Sequence, residues 1–279
     1  MIKFVLTFFS IFPLRLNHFI GALIGRYLYF IDSDSKHITN KNIQICFPEL
    51  SEIEQQDLIK KSLIETGKCL SETGFIWLRS FEDNAKHVLN TLGAEHLDSK
   101  QPIILLVPHF GCWELAARMV SLHKPTVFLY KKLKNDKQNQ LLLKNREQGD
   151  LFMASADKKG LIKIHRAIAQ GNLIGILPDQ DPGEKGSILA PFFGQDARTM
   201  TLLAKLARKN NAKVLMTWAT RLDKGKGYVL NIEPVNILSE SGDVKSDVVL
   251  MNQAIEEMVR MKPEQYLWSY KRFNSVIDY

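Results

Sequence analysis

Cysteine is scarce in this sequence, with three in 279 residues. Cys46, Cys69 and Cys112 lie far apart and no pair has CxxC spacing. That excludes a zinc ribbon or a disulfide framework and fits a reducing compartment. An unbroken apolar run of about 20 residues, the length a spanning helix needs, is also missing. Residues 4–12 and 19–31 are apolar, but Pro13, Arg15, Asn17 and His18 stand between them. No small-residue cleavage site follows the first run, so it does not read as a secretory signal peptide. There is no internal repeat, no low-complexity linker and no sharp compositional boundary. Zinc-finger spacing, an RNA-recognition signature and a base-reading basic helix are absent too, so no nucleic-acid partner is expected.

What is present is globular in balance: 45% hydrophobic and 24% charged residues, in a chain long enough for one sizeable core. Lys and Arg number 37 against 30 Asp and Glu, a net +7. This suggests an anionic partner, a membrane surface among them, or no more than a mildly basic surface. The N-terminus is rich in aromatics (Phe4, Phe8, Phe9, Phe12, Phe19, Tyr27, Tyr29, Phe30). It reads either as a pair of core helices or as an amphipathic, membrane-associating helical segment over residues 1–34. In the second reading Arg15, Arg26, Lys36 and Lys41 meet anionic headgroups. Residues 35–279 form one further domain.

Ser51 with Glu54 has capping-box spacing and starts a helical stretch to Arg79, one long helix or two joined near Gly67 or Gly74. Beyond it the pattern alternates. Apolar strands are expected at 103–107, 126–130, 173–177, 213–219 and 228–233, with helices at 112–122, 135–148, 158–170, 199–210 and 247–262. Strands separated by helical crossovers imply an α/β fold, a largely parallel sheet flanked by helices. In such sheets ligands bind beyond the carboxyl ends of the strands.

His109 sits there, just after Ile103–Val107 and Pro108, with Glu114 five residues on. An imidazole beside a carboxylate is a natural general base with its orienter, the carboxylate fixing the tautomer and stabilising the imidazolium. Backbone groups near Gly111 are candidates to hold an oxyanion. Asp179 and Asp181, in the Pro- and Gly-rich loop 176–194, follow the strand at 173–177 in the same way. Turn chemistry is the plain alternative for both. No third acidic ligand lies near them, so no metal is expected. Arg146 ends a lysine-rich stretch (Lys131, Lys132, Lys134, Lys137, Lys144) that reads as a solvated helix face or as a basic rim receiving phosphates. His87, His96, His123 and His165 have no paired context, and Cys112 reads as buried.

Together the box His109 to Glu114, Arg146 in KNREQG, the loop PDQDPG at 178–183, Phe192-Phe193-Gly194 and PEQYLWSYKRF at 263–273 resemble the late (secondary) acyltransferases of lipid A biosynthesis, within the lysophospholipid acyltransferase superfamily. Pro13-Leu14-Arg15 and TNKNIQICFPELS, residues 39–51, extend the resemblance over nearly the whole chain. The resemblance implies transfer of a fatty acyl chain from acyl-carrier protein to the hydroxyl of a hydroxyacyl chain on a lipid A precursor. It implies the cytoplasmic face of the inner membrane as the location, and no cofactor. His109 and Glu114 match the family's catalytic pair, while Arg146 and Asp179 match further polar, substrate-binding positions. Arg198 departs from the pattern, where a small residue is expected. The alternatives are a lysophospholipid or another glycolipid as acceptor, or a non-catalytic membrane lipid-binding protein.

Overall fold

In the computed structural model, which describes residues 2–279, the chain up to Leu78 forms four helices. They are α1 (Ile2–Ser10), α2 (Leu14–Phe30), α3 (Asp34–Cys46) and α4 (Glu52–Leu78). Met1, part of the expected N-terminal segment, lies outside the described residues. Pro13 separates α1 from α2 because proline is tolerated only at a helix start. Ser51 and Glu54 close the expected capping box. From there α4 runs unbroken for 27 residues through Gly67 and Gly74.

Those glycines serve packing. Gly67 lies against Gly21 and Gly25 of α2 so closely that a Cβ would meet the Gly21 carbonyl oxygen and stand 2.6 Å from the Gly25 nitrogen. Gly74 meets the backbone of α1 at Leu6 in the same way. α2 thus buries its glycine face on α4, α1 buries Leu6 and Phe9, and both leave other apolar residues outside. Phe4 and Phe30 are each 75% exposed, and Phe8, Ile11, Phe19, Leu23 and Tyr27 are exposed beside them. These are packed helices, as the first reading of the segment expects, and their outer face is apolar. No helix among the described residues is long and apolar enough to cross a membrane.

The remainder is α5 (Phe81–Ala85), β1 (Val88–Leu92), β2 (Ile103–Leu106), α6 (Trp113–His123), β3 (Thr126–Tyr130), α7 (Asp136–Arg146), β4 (Leu151–Ser155), α8 (Lys158–Ala169) and β5 (Leu173–Ile176). It continues through β6 (Ser187–Phe192), β7 (Gln195–Met200), α9 (Leu202–Lys209), β8 (Lys213–Arg221), β9 (Tyr228–Pro234) and α10 (Val244–Met261). Seven strands form one sheet in the order β1-β9-β8-β2-β5-β3-β4. Every pairing in it is parallel except β8 with β9. The central strands are covered on both faces, which explains their unbroken apolar character. Ile104 and Leu106 join the cluster under α8, α9 and α10, whereas Leu105 and Val107 face α4 and α6.

The expected α/β architecture is therefore present, with three corrections. β1 and β4 are strands that the sequence reading left unassigned. Residues 187–200, read as loop passing into a helix, form the antiparallel hairpin β6–β7, and the helix expected from 199 begins at Leu202. Alternating burial of Ala190, Phe192, Ala197 and Thr199 holds the hairpin against the core despite Pro191.

Gly67→Ala should force α2 away from α4, since the obstructing atoms are backbone and cannot rotate aside. We expect a loss of about 1–3 kcal/mol, read as a lower urea midpoint.

Candidate active site

β2 and β5 are hydrogen-bonded neighbours, and each leads directly into one half of the site. The chain leaves β2 through Pro108, turns at His109, Phe110 and Gly111, and enters α6. Gly111 has φ of +55° and its α-carbon faces the Ala219 carbonyl, so a Cβ would collide with that oxygen. Only glycine fits there.

His109 and Asp179 meet across the strand ends. The His109 backbone N–H donates to Asp179 Oδ2 at 2.9 Å, and the ring Nδ1 donates to Oδ1 at 2.9 Å. The Asp179 side chain is 1% exposed and that of His109 16%. Burial pushes the Asp179 carboxyl up, but the charge and both hydrogen bonds of His109 outweigh it and hold the group below the usual carboxylate range. An ionised carboxylate on Nδ1 leaves Nε2 as the basic ring nitrogen.

Glu114 does not orient His109, contrary to the sequence expectation. Its carboxylate, in the first turn of α6, accepts from Trp77 Nε1 at 2.8 Å and Arg146 Nε at 3.0 Å, and pairs with Arg146 Nη2. Burial raises this group, and Arg146, chiefly by its charge, more than reverses the effect. Two carboxylate-anchored pairs therefore stand side by side, His109 with Asp179 and Arg146 with Glu114. Asp179, expected as a substrate-binding residue, lies behind the imidazole instead of facing solvent. Asp181 takes the turn role: its carboxylate accepts from Gly183 N at 2.7 Å.

His109, Glu114 and Arg146 border one cavity of about 640 Å³. Trp113, Ala117, Phe128, Leu142, Leu151 and Met153 make most of one wall apolar. Lys131, Lys132 and Lys134 line the opening with Arg146, so the expected basic rim sits at the cavity mouth. The space suits an apolar chain with a polar or anionic head.

The turn that carries His109 is tied down through its backbone. Its carbonyl accepts from Leu267 N at 3.0 Å, Gly111 N donates to Gln265 O at 3.0 Å, and Cys112 N donates to Ala219 O at 2.8 Å. The Gly111 N–H is thus engaged within the fold. The Gly111 carbonyl accepts from Arg221 Nη2 at 2.7 Å. Arg221 is buried, pairs with Glu72, and shares Glu65 at 3.4 Å. Tyr228 donates to Glu72 at 2.9 Å, and His18 Nε2 lies 3.0 Å from the same oxygen. Burial raises Glu72, but Arg221 and His18 bring it well below the carboxylate range.

Glu72, Arg221, Trp77 and Gln265 were missed as site residues because their partners are remote in sequence. One signal was available: Gln265 belongs to the C-terminal motif, and its amide clamps both the N–H and the carbonyl of Arg221 at 2.9 Å. The same segment reaches the other motifs. Asn42 donates to the carbonyls of Trp268 and Tyr270, Asp181 N donates to the Tyr270 hydroxyl, and Arg272 donates to the Arg198 carbonyl. Burial pushes the Cys112 thiol well above its ordinary value, so it is no ready nucleophile.

A family model described as bacterial lipid A biosynthesis acyltransferase matches residues 1–275. The chain belongs to that family. Among this family's members, the lipid A biosynthesis lauroyltransferase of Escherichia coli (strain K12) is 30% identical over 270 residues, covering 94% of this chain and 87% of the relative. The lipid A biosynthesis palmitoleoyltransferase of the same organism is 28% identical over 262 residues, 92% of this chain and 84% of the relative. The lipid A biosynthesis myristoyltransferase is 24% identical over 269 residues, 93% and 81%. Among solved structures, the 1-acyl-sn-glycerophosphate acyltransferase of Thermotoga maritima matches with a TM-score of 0.36 and 15% identity, over 88% of this chain and 97% of that one.

In this lipid A acyltransferase, Arg221→Met should leave Glu72 buried without its cation. We expect about 3–5 kcal/mol of destabilisation in chemical denaturation, most of it recovered in the double variant Arg221→Met/Glu72→Gln.

Proposed function

We propose that this chain moves a fatty acyl group from the thioester of acyl-carrier protein to the hydroxyl of a hydroxyacyl chain on a lipid A precursor, with His109 as general base. Family membership makes it an acyltransferase of lipid A biosynthesis. The observation that carries the finer reading is the buried Asp179 carboxylate on His109 Nδ1 at 2.9 Å, which leaves Nε2 basic at the cavity.

The chemistry follows from that tautomer. A lipid hydroxyl attacks a thioester efficiently only as a base removes its proton. Nε2 takes the proton while the hydroxyl oxygen bonds to the thioester carbon. Asp179 stabilises the imidazolium without becoming protonated, and its second oxygen on the His109 N–H prevents the ring from swinging away. The tetrahedral intermediate collapses by breaking the carbon–sulfur bond, and the departing thiolate takes the proton from Nε2. The products are an ester and a free carrier thiol, with no acyl-enzyme. Glu114 holds Arg146 at the cavity mouth, where the guanidinium is placed to receive anionic oxygen of the substrate as a forked donor. The role of Glu114 is to position Arg146.

The exposed apolar faces of α1 and α2, with Arg15 and Arg26 also exposed, support docking to the cytoplasmic face of the inner membrane. Lipid acceptor would then reach the site from the bilayer.

His109→Ala should lower kcat by roughly 10²–10⁴-fold with the fold intact, in an assay with acyl-carrier thioester and lipid A precursor. Near-normal turnover, or an acyl group trapped on Cys112, would reject the mechanism. Mass spectrometry of lipid A from cells lacking the protein should show loss of one secondary acyl chain; an unchanged lipid A with altered phospholipids would point to another acceptor. Replacing Phe4, Phe8 and Phe19 together by serine should abolish co-sedimentation with anionic vesicles while leaving the melting temperature within a few degrees.

A further inference from the structure

A glycine in the middle of a central strand is a weak choice, since it offers nothing to pack. Gly175 sits at that position in β5, between β2 and β3. The space its side chain would fill is taken by the ring of Phe128 from the neighbouring strand. A Cβ on Gly175 would fall inside the van der Waals envelope of that ring, against three of its carbons. Behind the ring lies the buried face of the sheet, with Leu105, Leu115 and Leu173 in the same cluster as Phe128. In front of it lies the cavity, of which Phe128 is a wall.

The cavity is deep along the same direction. Ala156, just past β4, and Leu151, its first residue, both line it. Five residues of strand rise amount to about 16 Å, the scale of an extended fatty acyl chain. His109 and the lysines stand at its outer part, Phe128 and Leu151 at its inner part. Met153, the register partner of Phe128, faces the same space.

From this arrangement we infer that Phe128, seated over Gly175, sets the length of the acyl chain this enzyme transfers. The inference rests on the proposed reading of the cavity as the acyl site. The ring narrows the inner part of the cavity, and the missing side chain at Gly175 gives it the room it occupies. Any bulk added at Gly175 drives the ring into the cavity and shortens it, whereas trimming the ring opens the space over Gly175 and lengthens it. An apolar pocket that loses or gains room for one two-carbon unit discriminates by roughly 10-fold or more.

The test is a competition. Wild-type enzyme and the variants Gly175→Ala, Phe128→Leu, Phe128→Ala and Gly175→Ala/Phe128→Ala receive an equimolar mixture of acyl-carrier thioesters from decanoyl to palmitoyl with a lipid A precursor, and products are weighed by mass spectrometry. Gly175→Ala should shift the product ratio about 10-fold toward shorter chains. Both Phe128 variants should shift it toward longer chains, the alanine further, and the double variant should return toward wild type. Opposite shifts cannot come from general loosening, and melting curves identify any variant that fails to fold; Phe128→Leu is the conservative arm should the alanine do so. Folded variants with the wild-type profile, or shifts of one sign in all of them, overturn the inference. A wild-type enzyme that accepts none of the carrier thioesters would instead overturn the donor reading itself.

Discussion

Arg221 is a guanidinium taken almost wholly out of water, and the site is built around keeping it satisfied. Removing such an ion from solvent costs several kcal/mol unless its partners are close and complete. Glu72 supplies the opposing charge from α4, Glu65 a second carboxylate one helical reach away, and the Gly111 carbonyl the remaining acceptor. Tyr228 and His18 then satisfy Glu72 from β9 and α2. One buried cation therefore ties the N-terminal helices, the antiparallel end of the sheet and the turn bearing His109 into a single rigid body. Its role is geometric: it holds the Gly111 carbonyl, and with it the end of the turn, against α4 and β8.

The helices outside the sheet follow from the same constraint. For Glu72 to reach Arg221, α4 must lie along the sheet edge near the α6 N-terminus. For His18 to reach Glu72, α2 must lie directly on α4, and only the facing glycines Gly21, Gly25 and Gly67 permit that approach. The close packing leaves Phe4, Phe8, Phe19, Tyr27 and Phe30 facing outward. An apolar outer face and a precise inner charge network are thus two consequences of one helix contact. Under the membrane-docking proposal, the surface that meets lipid and the base that works on it are joined through three side chains.

Most of the sheet was legible because buried parallel strands carry their signal in composition: β2, β3, β5 and β8 are apolar runs. β1 reads VLNTL and is largely exposed at the sheet edge, so burial left no trace in its residues. The β6–β7 hairpin was hidden by Pro191 and Gly194, which read locally as loop, although its buried residues alternate. His109 and Asp179 could each be chosen as the residue following an apolar strand, yet their pairing could not, since 70 residues separate them. The adjacency of β2 and β5 in the sheet brings them together, and strand order is a property of the whole chain. Arg221 and Glu72, 149 residues apart, carried no local signal at all.

The spacing of His109 and Glu114 invited the inference of a direct pair, and the reason it fails is instructive. Five residues across a strand-to-helix turn place the second side chain in the first helical turn, where the free N–H groups favour a carboxylate. That position points Glu114 toward α4 and α7, at Trp77 and Arg146, while the strand end points His109 toward β5. Spacing therefore determined which carboxylate would be ionised and close by, and the sheet determined which would touch the imidazole. His109 and Arg146 each have their own buried carboxylate: in the proposed mechanism Asp179 serves a ring that must gain and lose a proton, and Glu114 a guanidinium that must not. Had one carboxylate served both, every proton taken up by His109 would have weakened the hold on Arg146. Under the proposed mechanism, two separate pairs let the base cycle while the anion-receiving group stays fixed.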